Sequence, residues 1–210
     1  MSNANTTTRR TRAATKKRRT IMSAALEIFS QFGLHGTSLD RVAELADISK
    51  TNLLYYFPSK EALYIAVLED ILDLWLAPLK AFEADQHAKV AIEQYIYLKL
   101  AVSRDYPQAS KLFCLEMLQG APLLNQTLSS SLKQLVDDKS AIIRDWIAAG
   151  QLAPIEPMHL LFILWATTQH YADFGVQIAA ISGCTLNDPH FFQQTFDNLQ
   201  RIILQGLLPD

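Results

Sequence analysis

Two polar residues, Gln169 and Asp173, stand four positions apart in the otherwise apolar segment EPMHLLFILWATTQHYADFGVQI. At 100° per residue they share a helical face with Trp165, and apolar residues on both sides of the helix predict that it is buried on both sides. A buried carboxylate needs a partner, and a buried amide must be hydrogen-bonded. The pattern indicates either an internal partner, such as Lys99 or Arg104, or a ligand rich in N–H and C=O groups.

The planar base uracil fits the ligand alternative. A glutamine amide can pair with a neighbouring N–H and carbonyl, a carboxylate can accept from the other N–H, and a tryptophan ring can cover the base. The helical spacing in KLFCLEML adds three residues, for each of which plain core packing is the alternative, as it is for Trp75. The predicted ligand-binding set is Trp75, Phe113, Cys114, Met117, Trp165, Gln169 and Asp173.

A second polar set lies in SKTNLLYYFPSKEAL, residues 49–63. Lys50 and Lys60 can bind phosphates, and the other polar tips, those of Thr51, Asn52, Tyr55 and Tyr56, can reach base edges. Leu53 and Phe57 would hold such a helix to the protein. The pattern predicts a DNA-reading helix, and a solvated helical hairpin is the alternative.

The elements that must position these residues are helices throughout, so the predicted fold class is all-α. Two short helices joined by the turn Asp47-Ile48-Ser49 form a helix-turn-helix, with Ser49 and Ser59 as N-caps of the helices that follow them. The predicted domains are a disordered basic arm (residues 1–15), a three-helix DNA-binding head (16–60) and a larger ligand-binding and dimerisation bundle (61–210).

Charge is divided between these parts. Residues 1–60 hold ten Lys and Arg against four Asp and Glu, whereas residues 61–210 hold nine against seventeen. A basic module on an acidic one suggests that the head binds nucleic acid and that the bundle binds something else.

Several function classes are disfavoured. The longest apolar run, Leu160 to Ala166, is too short for a membrane span, and Glu27 with helical spacing around it argues against a secretory signal. Two distant cysteines predict a reduced, cytoplasmic protein. We find no catalytic motif, metal-ligand spacing or cofactor loop, which argues against an enzyme. The acidic bundle with its predicted pocket argues against a nonspecific DNA-coating protein.

The run GLHGTSLDRVAELADISKTNLLYYFPSKEAL resembles the DNA-binding head of the TetR family of transcriptional regulators. Asp47 stands where the family usually has Gly, and Leu54 and Tyr56 replace a Tyr and a His. The resemblance implies an operator-binding regulator with a three-helix head. The resemblance also implies DNA contacts at the start of the first helix of the motif, from Thr37 and Ser38. The predicted DNA-binding set is therefore Thr37, Ser38, Lys50, Thr51, Asn52, Tyr55, Tyr56 and Lys60.

Longer runs are similar to the pyrimidine-responsive regulators of this family: KTNLLYYFPSKEALYIAVL, LKLAVSRDYPQASKLFCLEML, WATTQHYADF and QRII. The resemblance implies a repressor of pyrimidine-catabolism genes that uracil, or thymine, releases from DNA. A family member that responds to a different small molecule is the alternative.

A homodimer is expected, because a helix-turn-helix repressor usually needs two heads on two half-sites. Its interface would use the outer face of the segment from 157 to 181 and the apolar stripe of the last helix. That stripe is Phe192, Phe196, Leu199, Ile203 and Leu207.

Overall fold

The computed structural model describes the backbone of residues 3–207 and the side chains of residues 12–207. Every regular element in this range is a helix, which confirms the all-α prediction. The helices are α1 (Asn3–Gly36), α2 (Leu39–Leu45), α3 (Lys50–Tyr56), α4 (Lys60–Lys80), α5 (Ala88–Asp105), α6 (Pro107–Leu118), α7 (Asn125–Thr127), a π-helical turn (Leu128–Leu132), α8 (Lys133–Ala148), α9 (Pro157–Asp173), α10 (Gly175–Ser182) and α11 (Pro189–Gln205).

Helices α1 to α3 form the predicted helix-turn-helix head. Ser38 and Ser49 cap α2 and α3, because each side chain accepts a hydrogen bond from the backbone N–H three residues on. Between the two helices Asp47 has φ of 52°, a left-handed conformation that Asp tolerates. The side chains of Leu53 and Phe57 are buried in the core of the head. The turn therefore forms without a glycine.

Helix α4 joins the head to the bundle. Ser59 caps it by accepting a hydrogen bond from the backbone N–H of Ala62 at 3.0 Å. Buried side chains of α4 between Leu63 and Trp75 belong to the core that includes the head, whereas Leu79 belongs to the core of the bundle. One rigid helix is therefore part of both cores.

The N-terminal region differs from the predicted disordered arm. Helix α1 begins at Asn3, and Gly33, with φ of 64° and ψ of −176°, is where its backbone leaves the helical conformation. No glycine or proline stands between residues 3 and 32, and Ala, Arg and Lys are strong helix formers. The first helix therefore extends back through the basic residues. Residues 1 and 2 lie outside the described range.

The helix predicted over residues 157–181 is two helices. Helix α9 ends at Asp173, and Phe174 has φ of −111° and ψ of 27° before α10 begins. The low helix propensity of Gly175 favours an interruption at this point. The helical conformation is therefore interrupted directly after Asp173.

The side of α9 that faces the core also differs from the prediction. Its deeply buried residues include Leu161, Leu164 and Thr168. A period of 100° per residue puts three further residues on the face of Gln169 and Asp173, which was expected to face the core, and all three are exposed: Phe162, Ala166 and Val176. Helix α9 carries apolar residues on all of its sides, so periodicity alone could not show which side packs against the core.

The apolar stripe of α11 packs within its own chain. Phe192, Ile203 and Leu207 are buried in the core of the bundle, with Phe196 packed against them. Tyr97 of α5 contacts the rings of Phe192 and Phe196, with centroid separations of 5.4 and 5.6 Å. The prediction that this stripe forms the interface between two chains is therefore wrong, because it covers α5 instead.

Two adjacent isoleucines of α11 test this packing. Ile203 is 7% exposed and Ile202 is 65% exposed. Ile203→Glu buries an unpaired charge and should lower the free energy of unfolding by about 3 kcal/mol or more. Ile202→Glu is the matched control and should change it by less than about 0.5 kcal/mol. Urea unfolding followed by circular dichroism measures both, and equal losses would contradict the assigned face.

Candidate functional site

Helix α3 presents its polar side chains away from the head. Lys50, Thr51 and Tyr55 are exposed, and the Tyr55 side chain is 83% exposed. Leu53 and Phe57 are buried on the other side. In so short a helix, two buried anchors leave the remaining side chains on one surface. That surface carries the ammonium and hydroxyl groups that can meet phosphates and base edges.

The two lysines predicted to bind phosphate have partners within the head. Lys50 Nζ lies 2.9 Å from Asp40 in an exposed ion pair, and such pairs are weak in water. Lys50 can therefore exchange the carboxylate for a phosphate. Lys60 Nζ donates to the backbone oxygen of Thr37 at 3.0 Å and so ties the start of α4 to the entry of α2.

Thr37 does not face outward as predicted. Its side chain is 4% exposed, and its hydroxyl donates to the backbone oxygen of Gly33 at 2.7 Å. Thr37 precedes the N-cap of α2, so its side chain turns back onto the end of α1. Ser38 is exposed but accepts a hydrogen bond from the backbone N–H of Arg41. The Thr37 side chain thus holds α1 to α2, and the expectation that it contacts DNA is corrected.

The rest of the DNA-binding set borders the same surface. Asn52 and Tyr56 are half-buried, and the Tyr56 ring meets that of Tyr55 edge-to-face at 5.3 Å. Sequence reasoning missed Arg41, an exposed residue of α2 whose guanidinium lies 4.2 Å from the centroid of Phe32. Its only signal in the sequence was its membership of the basic excess in residues 1–60.

The bundle contains a cavity of about 50 Å³ between α4, α5, α6 and α9. Four of the predicted ligand-binding residues line it, and Lys99 joins them. The lining residues are Leu72, Trp75, Leu76, Lys99, Phe113, Leu132, Trp165 and Gln169. This volume holds a few water molecules, so an aromatic ligand would have to push side chains apart.

The other three predicted residues, Cys114, Met117 and Asp173, do not line this cavity. Met117 packs against the core that includes the head. Cys114 is half-buried, and burial together with the nearby charge of Asp173 raises the pKa of its thiol. The helical spacing placed Phe113, Cys114 and Met117 on the correct helix, but only Phe113 of these lines the cavity.

Asp173 lies one turn beyond Gln169 and has partners inside the chain. The Ser110 hydroxyl donates to one carboxylate oxygen, and the Gln169 amide donates to the other at 3.1 Å. Burial raises the pKa of Asp173, against the opposing effect of these hydrogen bonds and of the Lys99 charge. Arg104, an internal partner considered from the sequence, pairs with Asp105 at 2.7 Å instead.

Lys99, one of the two internal partners of Asp173 considered from the sequence, is also a member of the cavity wall. Its side chain lies in the interior, where the residue is 2% exposed, and its Nζ stands 4.3 Å from the centroid of the Trp75 ring. Loss of hydration lowers the pKa of Lys99 to about 8, and the charge of Asp173 opposes that change. The Trp75 face that was expected to cover a base is thus occupied, at least on one side, by an ammonium group.

A buried polar link connects the cavity helices to the head. Tyr64 of α4 donates to the Glu116 carboxylate of α6 at 3.2 Å, and the other Glu116 oxygen accepts from the backbone N–H of Leu123 at 2.8 Å. The Tyr64 ring also meets Phe29 of α1 edge-to-face at 4.9 Å. Helices α1, α4 and α6 are therefore joined at one point by specific contacts.

A larger cleft of about 520 Å³ lies between α1, α4 and α6. Arg18, Arg19 and Asp70 stand on its wall together with apolar side chains. None of the predicted ligand-binding residues lines it. The predicted ligand-binding residues that line a cavity all line the smaller one, where Lys99 is buried beside an aromatic ring.

Comparison with known proteins agrees with this arrangement. Residues 21–67 match the family model described as bacterial regulatory proteins, tetR family, and residues 68–210 match the model for the C-terminal region of YcdC-like proteins. The HTH-type transcriptional regulator RutR of Escherichia coli K12 is 63% identical over 204 residues, which are 97% of this chain and 96% of RutR. The chain belongs to the TetR family.

Other members are more distant. The HTH-type transcriptional repressor NicS of Pseudomonas putida is 31% identical over 147 residues, 68% of this chain and 66% of NicS. The ketosteroid regulator KstR2 of Mycobacterium tuberculosis has a similar fold, with a TM-score of 0.71 at 16% identity over 92% of this chain and 95% of KstR2. AibR, solved with isovaleryl coenzyme A and operator DNA, has a TM-score of 0.67 at 14% identity over 89% of this chain and 97% of AibR.

This TetR-family protein is a DNA-binding transcriptional regulator, and its relatives are regulators and not enzymes. Members of the family bind DNA operators and small-molecule effectors, typically as dimers. Within residues 3–207, no helix has the length and hydropathy needed to cross a bilayer. Among the described side chains, no group of His, Cys, Asp and Glu could hold a metal ion.

The buried lysine predicts an unusual dependence of stability on pH. Below pH 8, Lys99 is charged in both the folded and the unfolded chain, and the folded state carries the cost of the buried charge. As pH rises from about 8 toward the usual lysine value of 10.5, the folded state loses the proton first and that cost disappears.

We therefore expect wild type to gain up to about 2 kcal/mol of stability relative to Lys99→Met between about pH 7 and 9.5. Urea unfolding across this range measures the difference between the two proteins. Lys89→Met, which removes a lysine from an exposed part of the same helix, should show no such trend. A constant difference for Lys99→Met would contradict the low pKa.

Proposed function

We propose that this regulator is a repressor that binds a palindromic operator as a homodimer and leaves the DNA when uracil occupies the cavity between α4, α5, α6 and α9. The observation that carries the proposal is Gln169, which lines the cavity with Trp75 and Trp165 and donates a hydrogen bond to Asp173. The sequence resemblance to pyrimidine-responsive members of the family supports the same class of effector. A different planar ligand with the same hydrogen-bonding edges is the alternative.

Uracil suits the chemistry of these residues. The Gln169 amide can pair with a ring N–H and its neighbouring carbonyl, and a carboxylate oxygen of Asp173, although already bonded, retains a lone pair for the second N–H. Trp165 supplies an aromatic face for the ring. Thymine presents the same polar groups with one added methyl, which makes it the second candidate ligand.

The small volume of the cavity supplies the link to DNA release. A base can enter only if α4, α6 and α9 move apart, because their side chains fill the space around the opening. Helix α4 carries Trp75 in the cavity wall and Lys60 against the head. Displacement of α4 by the ligand would therefore change the position of α3, and so the distance between two heads on DNA.

The DNA contacts are assigned by exposure. Lys50 and Lys60 bind phosphates, the latter after giving up its bond to Thr37. Four residues of α3 face the bases or their edges: Thr51, Asn52, Tyr55 and Tyr56. Ser38 and Arg41 add contacts at the start of α2, with backbone N–H groups and a cation facing the phosphates. The exposed cations of α1 before residue 20 extend this basic surface.

The second chain packs on an exposed apolar surface. This surface consists of large apolar side chains on the outer sides of α9 and α10: Phe162, Ile163, Phe174, Val176 and Ile181. Exposed apolar patches of this kind mark interfaces. The domain limits of 16–60 for the head and 61–210 for the bundle accompany this proposal, with residues 3–15 as a basic extension of α1.

Substitutions in α3 should separate phosphate contacts from base contacts. Lys50→Ala should weaken binding to all sequences alike and reduce the slope of log K against log salt by about one. Asn52→Ala should keep the slope and relax preference at one base position, by about 1 to 3 kcal/mol. Fluorescence anisotropy with an operator library at several salt concentrations measures both quantities. The assignment fails if Lys50→Ala alters sequence preference and leaves the salt slope unchanged.

The cavity assignment is tested by the pair of Gln169 and Asp173. Asp173→Ala and Gln169→Leu should each weaken uracil binding about tenfold or more, because they remove hydrogen bonds from buried groups. Operator affinity without ligand should stay nearly constant. Calorimetry with uracil, thymine and cytosine gives the affinities, and circular dichroism confirms folding.

A matched control exists on α11. Gln193 donates to Asp197 at 2.8 Å with the same four-residue spacing, but both residues are exposed. Gln193→Leu should leave uracil binding unchanged. If wild type binds no uracil, or folded Asp173→Ala binds it as tightly as wild type does, the effector assignment is wrong while the DNA-binding role remains.

A further inference from the structure

Lys99 has a buried ammonium group without a hydrogen-bond acceptor among the described residues. It is 2% exposed, no hydrogen bond from its Nζ is present, and its nearest defined contact is the Trp75 ring at 4.3 Å. Helix α5 thus places an ammonium group with three N–H donors against the cavity. Buried charges in folded proteins are normally both paired and hydrogen-bonded.

The groups around Lys99 do not account for it. The contact with Trp75 is a cation–π interaction, which offsets only part of the cost of removing an ammonium group from water. Asp173 is close enough to influence Lys99, but its two oxygens are already bonded to Ser110 and Gln169. The balance still lowers the pKa of Lys99, which means that the charged form is under-compensated in the protein without a ligand.

A second donor near the same place has no acceptor. The indole nitrogen of Trp75 is buried and has no hydrogen-bond partner. Trp75 and Lys99 both line the cavity, so two buried donor groups without acceptors occur in its wall. A cavity wall of this kind is complementary to a ligand with an unused acceptor oxygen.

The hydrogen bonds of uracil leave such an acceptor. Uracil has two ring N–H groups and two carbonyls. In the pairing proposed above, Gln169 takes one N–H and one carbonyl, and Asp173 takes the other N–H. One carbonyl oxygen is left without a donor, and a buried carbonyl without a donor would weaken binding.

We propose that Lys99 binds the effector directly, with its ammonium group donating to the second carbonyl oxygen of the pyrimidine. This inference rests on the proposed uracil-binding function and adds its specificity. A ring with an amino group in place of that carbonyl would place a hydrogen-bond donor against the Lys99 ammonium, which is also a donor, and should therefore bind weakly. The ligand in turn supplies the acceptor that Lys99 lacks in the free protein.

The first test compares Lys99→Met with wild type. Methionine keeps much of the side-chain length and removes the donor and the charge. Uracil affinity should fall about ten- to hundredfold, the range for a hydrogen bond to a charged group. The melting temperature of the free protein should not fall, because the variant removes an under-compensated charge, and a purely structural lysine would behave in the opposite way.

Two further variants control for other causes. Lys89→Met, on the exposed side of α5, should leave uracil binding unchanged. Lys99→Gln retains an N–H donor without the charge, and it should recover part of the affinity that Lys99→Met loses. Equal losses in Lys99→Gln and Lys99→Met would contradict a hydrogen bond from position 99.

The second test needs no altered protein for its main readout. Sulfur is a weak hydrogen-bond acceptor, so one of the pair 2-thiouracil and 4-thiouracil should bind wild type at least about tenfold more weakly than uracil does. The same analogue should lose little relative to uracil in Lys99→Met. If that analogue binds Lys99→Met more weakly than uracil does, by the same factor as in wild type, then the second carbonyl does not contact Lys99.

The two proposals fail in different ways. If wild type binds uracil and folded Lys99→Met binds it equally well, the role of Lys99 is overturned and the uracil-responsive function stands. If wild type binds none of uracil, thymine and cytosine, the proposed effector and the role of Lys99 are overturned together.

Discussion

Helix α4 packs into both hydrophobic cores of the molecule, and this constraint governs how the two parts of the chain can influence each other. Its first half packs with the head, and Leu79 near its end packs with the bundle. The part of α4 from Leu63 to Trp75 lies before the proline of this helix, Pro78, and close-packed cores resist gradual deformation. A displacement at Trp75 therefore cannot remain local, because Leu63 and Tyr64 on the same helix lie within the core of the head.

The cavity beside Trp75 combines features that disfavour a closed, empty state. Lys99 is buried against the Trp75 ring, and Trp75 Nε1 lacks a partner. Such groups make the free bundle less stable than an apolar one of the same shape would be. In the proposed function, ligand binding would relieve that deficit and favour a second position of α4.

Local signals in the sequence predicted local structure well. The caps at Ser38, Ser49 and Ser59 and the left-handed Asp47 depend on residues within a few positions, and all of them are present. The helical period also placed Trp165 and Gln169 together, and both line the cavity. Features that depend on distant parts of the chain were harder. The burial of Thr37 depends on the end of α1, and the apolar stripe of α11 could not reveal that α5 rather than a second chain covers it.

Lys99 shows the same limit from the opposite direction. From the sequence it was one of two possible internal partners of Asp173, although a lysine considered alone would be expected on the surface. Only the packing of α4, α6 and α9 around α5 makes it an interior residue. The link from Tyr64 to Glu116 is likewise invisible locally, since it joins residues 52 positions apart. Because Glu116 also accepts from the backbone of Leu123, movement of α6 away from the cavity must strain or break a buried charged hydrogen bond. In the proposed function, that bond would set a threshold between two packed arrangements of the molecule.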